Sequence, residues 1–206
     1  MQTRSALTIS RFLLATLVLL GGGLLKADDS GSQKMQIDDS TFSCIRSMTP
    51  VRGFYVDNLL GDLEATLKVA NSPTGGDYPP GSVVQLVPAE VMVKLEKGSF
   101  PATKDWEFFE LGVNAKGSTI KKRGFVDVVN QFGGNCFACH VQARPEWDLV
   151  CEKDHGCDPI PLTEEMILAI QKTDPRCENN PELSDSEKKS MHDLMKTLSG
   201  GSESGS

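Results

Sequence analysis

Hydrophobic residues in the segment "VDNLLGDLEATLKVANS", residues 56–72, recur at the spacing of an α-helix. One face of that helix would be apolar, formed by Leu59, Leu60, Leu63, Leu67 and Ala70. The short polar side chain of Asp57 or Asn58 would cap the first turn. Prolines and glycines cluster in the stretch "SPTGGDYPPG" that follows, and they end the helix and turn the chain. The pattern therefore predicts one amphipathic helix.

After this turn the hydrophobic pattern changes to short, strand-like runs. They cover residues 82–88, 90–96, 106–113 and 119–129. The connections between these runs are too short for crossover helices, so the strands are predicted to be antiparallel. Three or four antiparallel strands are expected.

The helical pattern returns after residue 140. Residues 163–172 have Thr163 as a helix N-cap. Residues 184–200 open with Ser184 and Glu187 in the spacing of a capping box, and this helix stops at Gly200. A helix, an antiparallel sheet and two C-terminal helices together predict an α+β fold in one domain.

The N-terminal segment, residues 1–27, is typical of a secretory signal peptide. Arg4 and Arg11 precede an apolar run over residues 12–25 that is short for a bilayer span, and Ala27 is a small residue at the expected cleavage site. An uncleaved N-terminal anchor is the alternative. The polar residues 28–41 are then expected to form a flexible leader, residues 42–199 the folded domain, and residues 200–206 a flexible tail.

The chain is acidic, and cleavage would make it more so. Without residues 1–27 it has 18 basic and 28 acidic side chains, a net charge of −10. Such a charge argues against binding to nucleic acid and against stable association with an anionic membrane surface. An exported, periplasmic domain is expected.

Six cysteines in an exported chain would ordinarily form disulfides. Two of them, Cys136 and Cys139, belong to a distinct motif, which leaves Cys44, Cys151, Cys157 and Cys177. Four cysteines allow three pairings. The Cys151–Cys157 pairing is favoured because the two residues bracket a short segment containing Gly156, and Cys44–Cys177 follows by elimination. A zinc site built on the same segment with His155 is the alternative, but it lacks a fourth ligand at metal spacing.

The motif itself is Cys-x-x-Cys-His, formed by Cys136, Cys139 and His140. Two thiols one helical turn apart can form thioether bonds to the two vinyl groups of one haem, and the adjacent histidine can then ligate the iron. A redox dithiol would need a βαβ setting, which the strand pattern does not offer. A zinc site would need a second ligand pair, and a short-range disulfide is the remaining alternative. Covalently bound haem c accounts for all three residues.

From about residue 54 to residue 140 the chain resembles the cytochrome P-460 family, which is related to the β-rich cytochromes c′. The resemblance is carried by "YPPGSVV", "EVMVKLEKGSFPATKDWEFFEL", "KKRG" and "VVNQFGGNCFACH", and by the order of helix, strands and late haem motif. It implies a monohaem protein of the periplasm, often a homodimer, with His140 as the proximal ligand. It also implies binding or oxidation of small nitrogen compounds such as hydroxylamine or nitric oxide.

The enzymes of that family carry a lysine crosslinked to the haem, and its expected position here is not occupied by lysine. The strand over residues 82–87 offers Gln85 instead, so Lys94 on the next strand and Lys97 after it are the nearest candidates for a crosslink. The resemblance implies that hydroxylamine oxidation depends on such a crosslink.

The second face of the iron has several candidate residues. A methionine ligand would close it and make the protein an electron carrier with a soluble redox partner; the candidates are Met92, Met166, Met191 and Met195. In "WEFFEL", strand alternation places Trp106 and Phe108 on one face as candidate pocket walls. Arg123 is a candidate hydrogen-bond donor on the distal side.

Overall fold

A computed structural model describes residues 35–200 of the chain. The predicted signal peptide and the last six residues of the predicted tail lie outside these residues. Within them, no helix is long and apolar enough to cross a membrane.

The centre of the fold is a six-stranded antiparallel sheet in which each strand pairs with its neighbours in sequence. The strands are β1 (Thr49–Val51), β2 (Phe54–Asn58), β3 (Ser82–Val87), β4 (Glu90–Lys94), β5 (Trp106–Asn114) and β6 (Gly117–Gly124). The four helices are α1 (Leu63–Ala70), α2 (Cys136–His140), α3 (Glu164–Lys172) and α4 (Asp185–Gly200). Helices and an antiparallel sheet of this kind confirm the predicted α+β class.

Two strands were not expected from the sequence. β1 lies before the segment that was assigned to the first helix, and β2 overlaps the start of that segment. Val56 of β2 is fully buried. The prediction of Asp57 or Asn58 as the helix N-cap was therefore wrong. Asp62 caps α1 instead, because its side chain accepts a hydrogen bond from the backbone N–H of Ala65.

The N-caps of the two C-terminal helices, α3 and α4, are the ones that the sequence predicted. The side chain of Thr163 accepts a hydrogen bond from the N–H of Met166 at the start of α3. At the start of α4, Ser184 Oγ accepts from the N–H of Glu187, and Glu187 Oε2 accepts from the N–H of Ser184. This reciprocal pair is the predicted capping box.

The folded domain begins earlier than residue 42, so the leader was predicted too long. Ile37 is buried, and its carbonyl accepts a hydrogen bond from Arg123 of β6. A carboxylate oxygen of Asp39 accepts from the N–H of Ile120, on the same strand. The segment is ordered because it covers β6, the edge of the sheet. β6 itself ends at Gly124, five residues before the predicted end of the strand run.

Both faces of the sheet are covered, and each has its own apolar cluster. The cluster on the first face packs against Cys136 and Phe137 of the CxxCH motif. It includes Met92, Trp106, Phe108, Val128 and Leu149. On the second face lie Phe42, Val91, Val93, Phe109 and Leu111. The alternation predicted for "WEFFEL" is confirmed, because Phe108 and Phe109 fall on opposite faces.

The two favoured disulfides are present. Cys44 is bonded to Cys177, and Cys151 is bonded to Cys157. The zinc alternative for the Cys151–Cys157 segment is thereby wrong, since both thiols are consumed. Its histidine, His155, is buried, with its ring stacked on Trp147 at 3.8 Å between centroids. Cys136 and Cys139 are free.

Candidate functional site

The CxxCH motif forms the short helix α2, and Asn135 fixes its start. The Oδ1 atom of Asn135 accepts a hydrogen bond from the N–H of Ala138 at 2.8 Å. Its Nδ2 atom donates to the carbonyl oxygens of the preceding segment, closest to that of Val126 at 2.8 Å. The N–H of Cys136 also donates to the carbonyl of Val128. Asn135 was missed in the sequence, although an asparagine directly before the motif is an ordinary N-cap signal.

The loop before α2 folds back on itself. Asn130 Oδ1 accepts hydrogen bonds from the N–H groups of Phe132 and Gly134, and the N–H of Asn130 donates to the carbonyl of Gly134. Gly133 has a φ of 81°, which favours glycine. This conformation lets the chain turn between Asn130 and the start of α2.

The two thiols of α2 are half-buried and protonated. Burial raises the pKa of the Cys136 thiol to about 12, and the negative charge of Glu90 adds to the rise. Burial also raises the pKa of Cys139, with a smaller contribution from Asp158. Neither thiol has the positive surroundings that stabilise a reactive thiolate.

His140 is held in one tautomer. Its Nδ1 atom lies 2.7 Å from the carbonyl oxygen of Leu149. Because a carbonyl only accepts, Nδ1 must carry the proton and donate. Burial, partly opposed by this bond, lowers the pKa of His140 and keeps the ring neutral. Within residues 35–200 the Nε2 atom has no hydrogen-bond partner, so its lone pair is available to a metal.

Leu149 belongs to a tight turn that is tied to the sheet. Asp148 is fully buried, and its carboxylate accepts two hydrogen bonds from Lys94 Nζ, at 2.9 and 2.7 Å. The same ammonium lies 5.1 Å from the centre of the Trp106 ring. Lys94, the candidate for a haem crosslink, thus forms an ion pair with Asp148. The sequence offered no signal for Asp148 or Leu149.

The imidazole of His140 packs against one aromatic ring of the sheet, that of Phe108. The rings of Phe108 and His140 have centroids 5.2 Å apart, and Phe137 of α2 lies 6.3 Å from Phe108. Met92 is buried and pairs in register with Phe108 on the same face of the sheet. Trp106 is fully buried on that face too, against Tyr78 rather than His140. Three of the predicted pocket residues therefore share one cluster.

Arg123 does not join them. Its guanidinium forms a two-bond ion pair with Glu107, at 2.7 and 2.8 Å, and lies over the ring of Phe109. Phe109 faces the second side of the sheet, so the prediction of Arg123 as a distal group next to the haem was wrong. Strand alternation places Arg123 across from Phe109 and away from Phe108.

A cavity of about 260 Å³ lies among the β3–β4 hairpin, α3 and α4. Two of the candidate methionines, Met191 and Met195, line it, and Met195 is largely exposed. Glu90, whose charge also acts on Cys136, borders the cavity from the hairpin.

The residues of α2 fit a covalently bound haem. Two free thiols stand at the spacing that two thioether bonds need, while the other four cysteines are paired. His140 has its Nδ1 atom satisfied by a carbonyl, the usual arrangement for a metal-ligating histidine. The neighbouring side chains are aromatic and apolar.

No known protein family, curated protein or solved structure matches this chain. The resemblance to the cytochrome P-460 family accordingly stays a prediction.

Proposed function

We propose that this chain is a c-type cytochrome in which Cys136 and Cys139 hold one haem by thioether bonds and His140 ligates its iron. The observation that carries the proposal is the geometry of His140. It shares a single short helix with two free thiols, and the bond from Nδ1 to Leu149 leaves Nε2 for the metal. The bound haem would supply an iron centre that changes oxidation state and binds small ligands.

The residues around the CxxCH motif orient its side chains and pack against them. The Leu149 carbonyl fixes the plane of the imidazole and increases the basicity of Nε2. Phe108 packs against the imidazole and lowers the local polarity, and Phe137 packs against Phe108. Asn135 caps the start of α2, the helix that carries both thiols and the imidazole.

The second face of the iron decides between two functions. An open face would bind nitric oxide or hydroxylamine, as the family resemblance implies, with electrons passed to a soluble redox partner. A methionine ligand would instead make the protein a closed electron carrier. Met92 is the candidate that lies on the sheet face next to His140, because it pairs with Phe108. A periplasmic location accords with two disulfides, which persist in oxidising compartments.

The thiol–disulfide alternative has less support. A catalytic dithiol depends on a thiolate with a lowered pKa, whereas burial raises the pKa of both Cys136 and Cys139. The helix that carries them follows an antiparallel sheet with sequential pairing and no βαβ unit.

The test is to express the chain together with haem-attachment machinery and record the absorbance of the denatured protein. Covalent haem is expected in the native sequence and absent in the Cys136→Ser/Cys139→Ser variant. The matched control is Cys151→Ser/Cys157→Ser, which also removes two cysteines but should retain haem. A native chain without covalent haem would refute the proposal.

Further spectra then separate the two functions. Binding of carbon monoxide to the ferrous protein is expected for an open face and not for a methionine-ligated iron. A strongly red-shifted ferrous Soret band would reveal a lysine crosslink. We expect an ordinary c-type spectrum, because Lys94 Nζ is held by Asp148.

A further inference from the structure

The turn that reaches His140 has an unusual backbone. After the short 3-10 helix Pro145–Trp147, Asp148 and Leu149 both have positive φ, 48° and 65°. Residues other than glycine reach this conformation at a cost of about 1–3 kcal/mol each, and it is rare for a side chain such as leucine. Contacts elsewhere must therefore hold the turn in place.

The contacts that hold it come from the sheet and from the loop before β3. The buried Asp148 carboxylate accepts two hydrogen bonds from Lys94 Nζ and one from the N–H of Tyr78 at 2.9 Å. Lys94 is the last residue of β4, and its backbone is fixed by pairing with Trp106. The exposed Lys104 adds two contacts, because its Nζ lies 3.9 Å from the Asp148 carboxylate and donates to the carbonyl of Pro145 at 2.9 Å. The ion pair with Lys94 is thus the buried contact between the turn and the sheet.

A buried ion pair of this kind contributes little to stability, because two charges must be removed from water to form it. The position of the ion pair, next to a residue that contacts His140, suggests that it positions the turn. One residue after Asp148, the Leu149 carbonyl accepts a hydrogen bond from the Nδ1–H of His140. The ion pair, the strained turn and the imidazole form one continuous chain of contacts.

We infer that Lys94 and Asp148 are positioning residues for His140, which hold the Leu149 carbonyl against Nδ1 and thereby set the strength of His140 as an iron ligand. The inference rests on the haem site proposed above. A hydrogen bond at Nδ1 makes the imidazole a stronger donor, and a stronger donor favours the oxidised iron. Loss of the ion pair would let the turn relax, weaken that bond and raise the midpoint reduction potential.

The variant that tests this is Lys94→Met/Asp148→Asn, which removes both charges together and leaves no unpaired charge behind. The matched control is Arg123→Met/Glu107→Gln, which removes an ion pair from the opposite face of the sheet. Circular dichroism establishes that each variant folds. We expect the first variant to have a higher midpoint potential than the native protein, and the control to keep the native value.

A second measurement does not depend on haem. In the full chain made without haem-attachment machinery, nitrogen-15 NMR of labelled histidine reports the tautomer of His140. The native chain and the control should show a single form protonated at Nδ1, and the Lys94→Met/Asp148→Asn variant a mixture. Absence of covalent haem would refute the proposed function, and this measurement would then decide only whether Lys94 and Asp148 position His140.

An unchanged tautomer and an unchanged potential in the folded variant would overturn the inference while the haem proposal stands. If the double variant does not fold, Lys94→Arg decides instead. It keeps the charge, but we expect its larger guanidinium to displace the turn. A raised potential in Lys94→Arg supports the inference, and the native potential overturns it.

Discussion

The imidazole of His140 meets the ring of Phe108 edge to face, with 5.2 Å between centroids and 62° between ring planes. Phe108 is almost fully buried in β5 and is opposite Met92 of β4. The sheet thus contacts the candidate ligand directly and does not merely support the helix that carries it.

Replacement of Phe108 by leucine should change the surroundings of His140. We expect a loss of about 1–2 kcal/mol in the free energy of unfolding, since a buried aromatic ring is exchanged for a smaller side chain. The chemical shifts of the His140 ring protons in the haem-free chain should move as well. Phe109→Leu is the control, because Phe109 is equally buried but faces the other side of the sheet. Equal shifts of His140 in both variants would contradict the prediction.

Much of the fold follows from local pattern. The strands β3 to β5 and the helices α3 and α4 were predicted because their periodicity and caps are contained within short segments. β1 was missed because it is short, and β2 was missed because Asp57 and Asn58 also suit a helix cap. Only the pairing of β2 with β3 turns these residues into a strand, and that pairing is not visible in the sequence.

The candidate site was predictable only in part. Cys136, Cys139 and His140 are contiguous, so the motif is readable directly. The partner of Lys94 is 54 residues away, and nothing in the sequence marks Asp148 as buried. The position of Arg123 depended on the register of β6, which contains an irregularity between Glu110 and Leu111 of the paired strand. Long-range contacts and register are properties of the fold, not of a segment.

The two disulfides should differ in their effect on stability. Cys44–Cys177 spans 133 residues, and Cys151–Cys157 spans 6. The entropy of the unfolded chain is reduced more by the longer loop, so its removal should cost about 5 kcal/mol and removal of the shorter one about 2 kcal/mol. Denaturant unfolding of Cys44→Ser/Cys177→Ser and Cys151→Ser/Cys157→Ser measures both. A larger loss from the short loop would show that it has a role beyond loop closure.

Glu90 should make the folded state less stable as the pH rises. Burial, opposed by a hydrogen bond from the N–H of Gln131, raises the pKa of Glu90 above its ordinary value of 4.5. The folded chain therefore binds this proton more tightly than the unfolded chain, and stability falls as the pH rises from 4.5 through the raised pKa. Glu90→Gln cannot ionise, and its amide oxygen can still accept from Gln131.

The Glu90→Gln variant should accordingly have a higher free energy of unfolding than the native chain at neutral pH, and the difference should shrink below pH 4.5. Denaturant unfolding at a series of pH values measures it. Glu182→Gln is the control, since Glu182 is exposed, and it should follow the native curve. A variant that is less stable than the native chain at neutral pH would mean that the charge of Glu90 has a stabilising partner.

The thiols of the haem-free chain should react slowly. Because burial raises the pKa of Cys136 to about 12, only a small fraction is thiolate at pH 8. Alkylation by iodoacetamide, followed by mass spectrometry, should therefore be slower at Cys136 in the folded chain than in the chain unfolded by denaturant with its disulfides intact. The rate should increase in Glu90→Gln, because the negative charge of Glu90 contributes to the raised pKa. Fast alkylation of folded Cys136 at pH 7 would instead indicate a stabilised thiolate, and it would favour a redox dithiol over a haem attachment site.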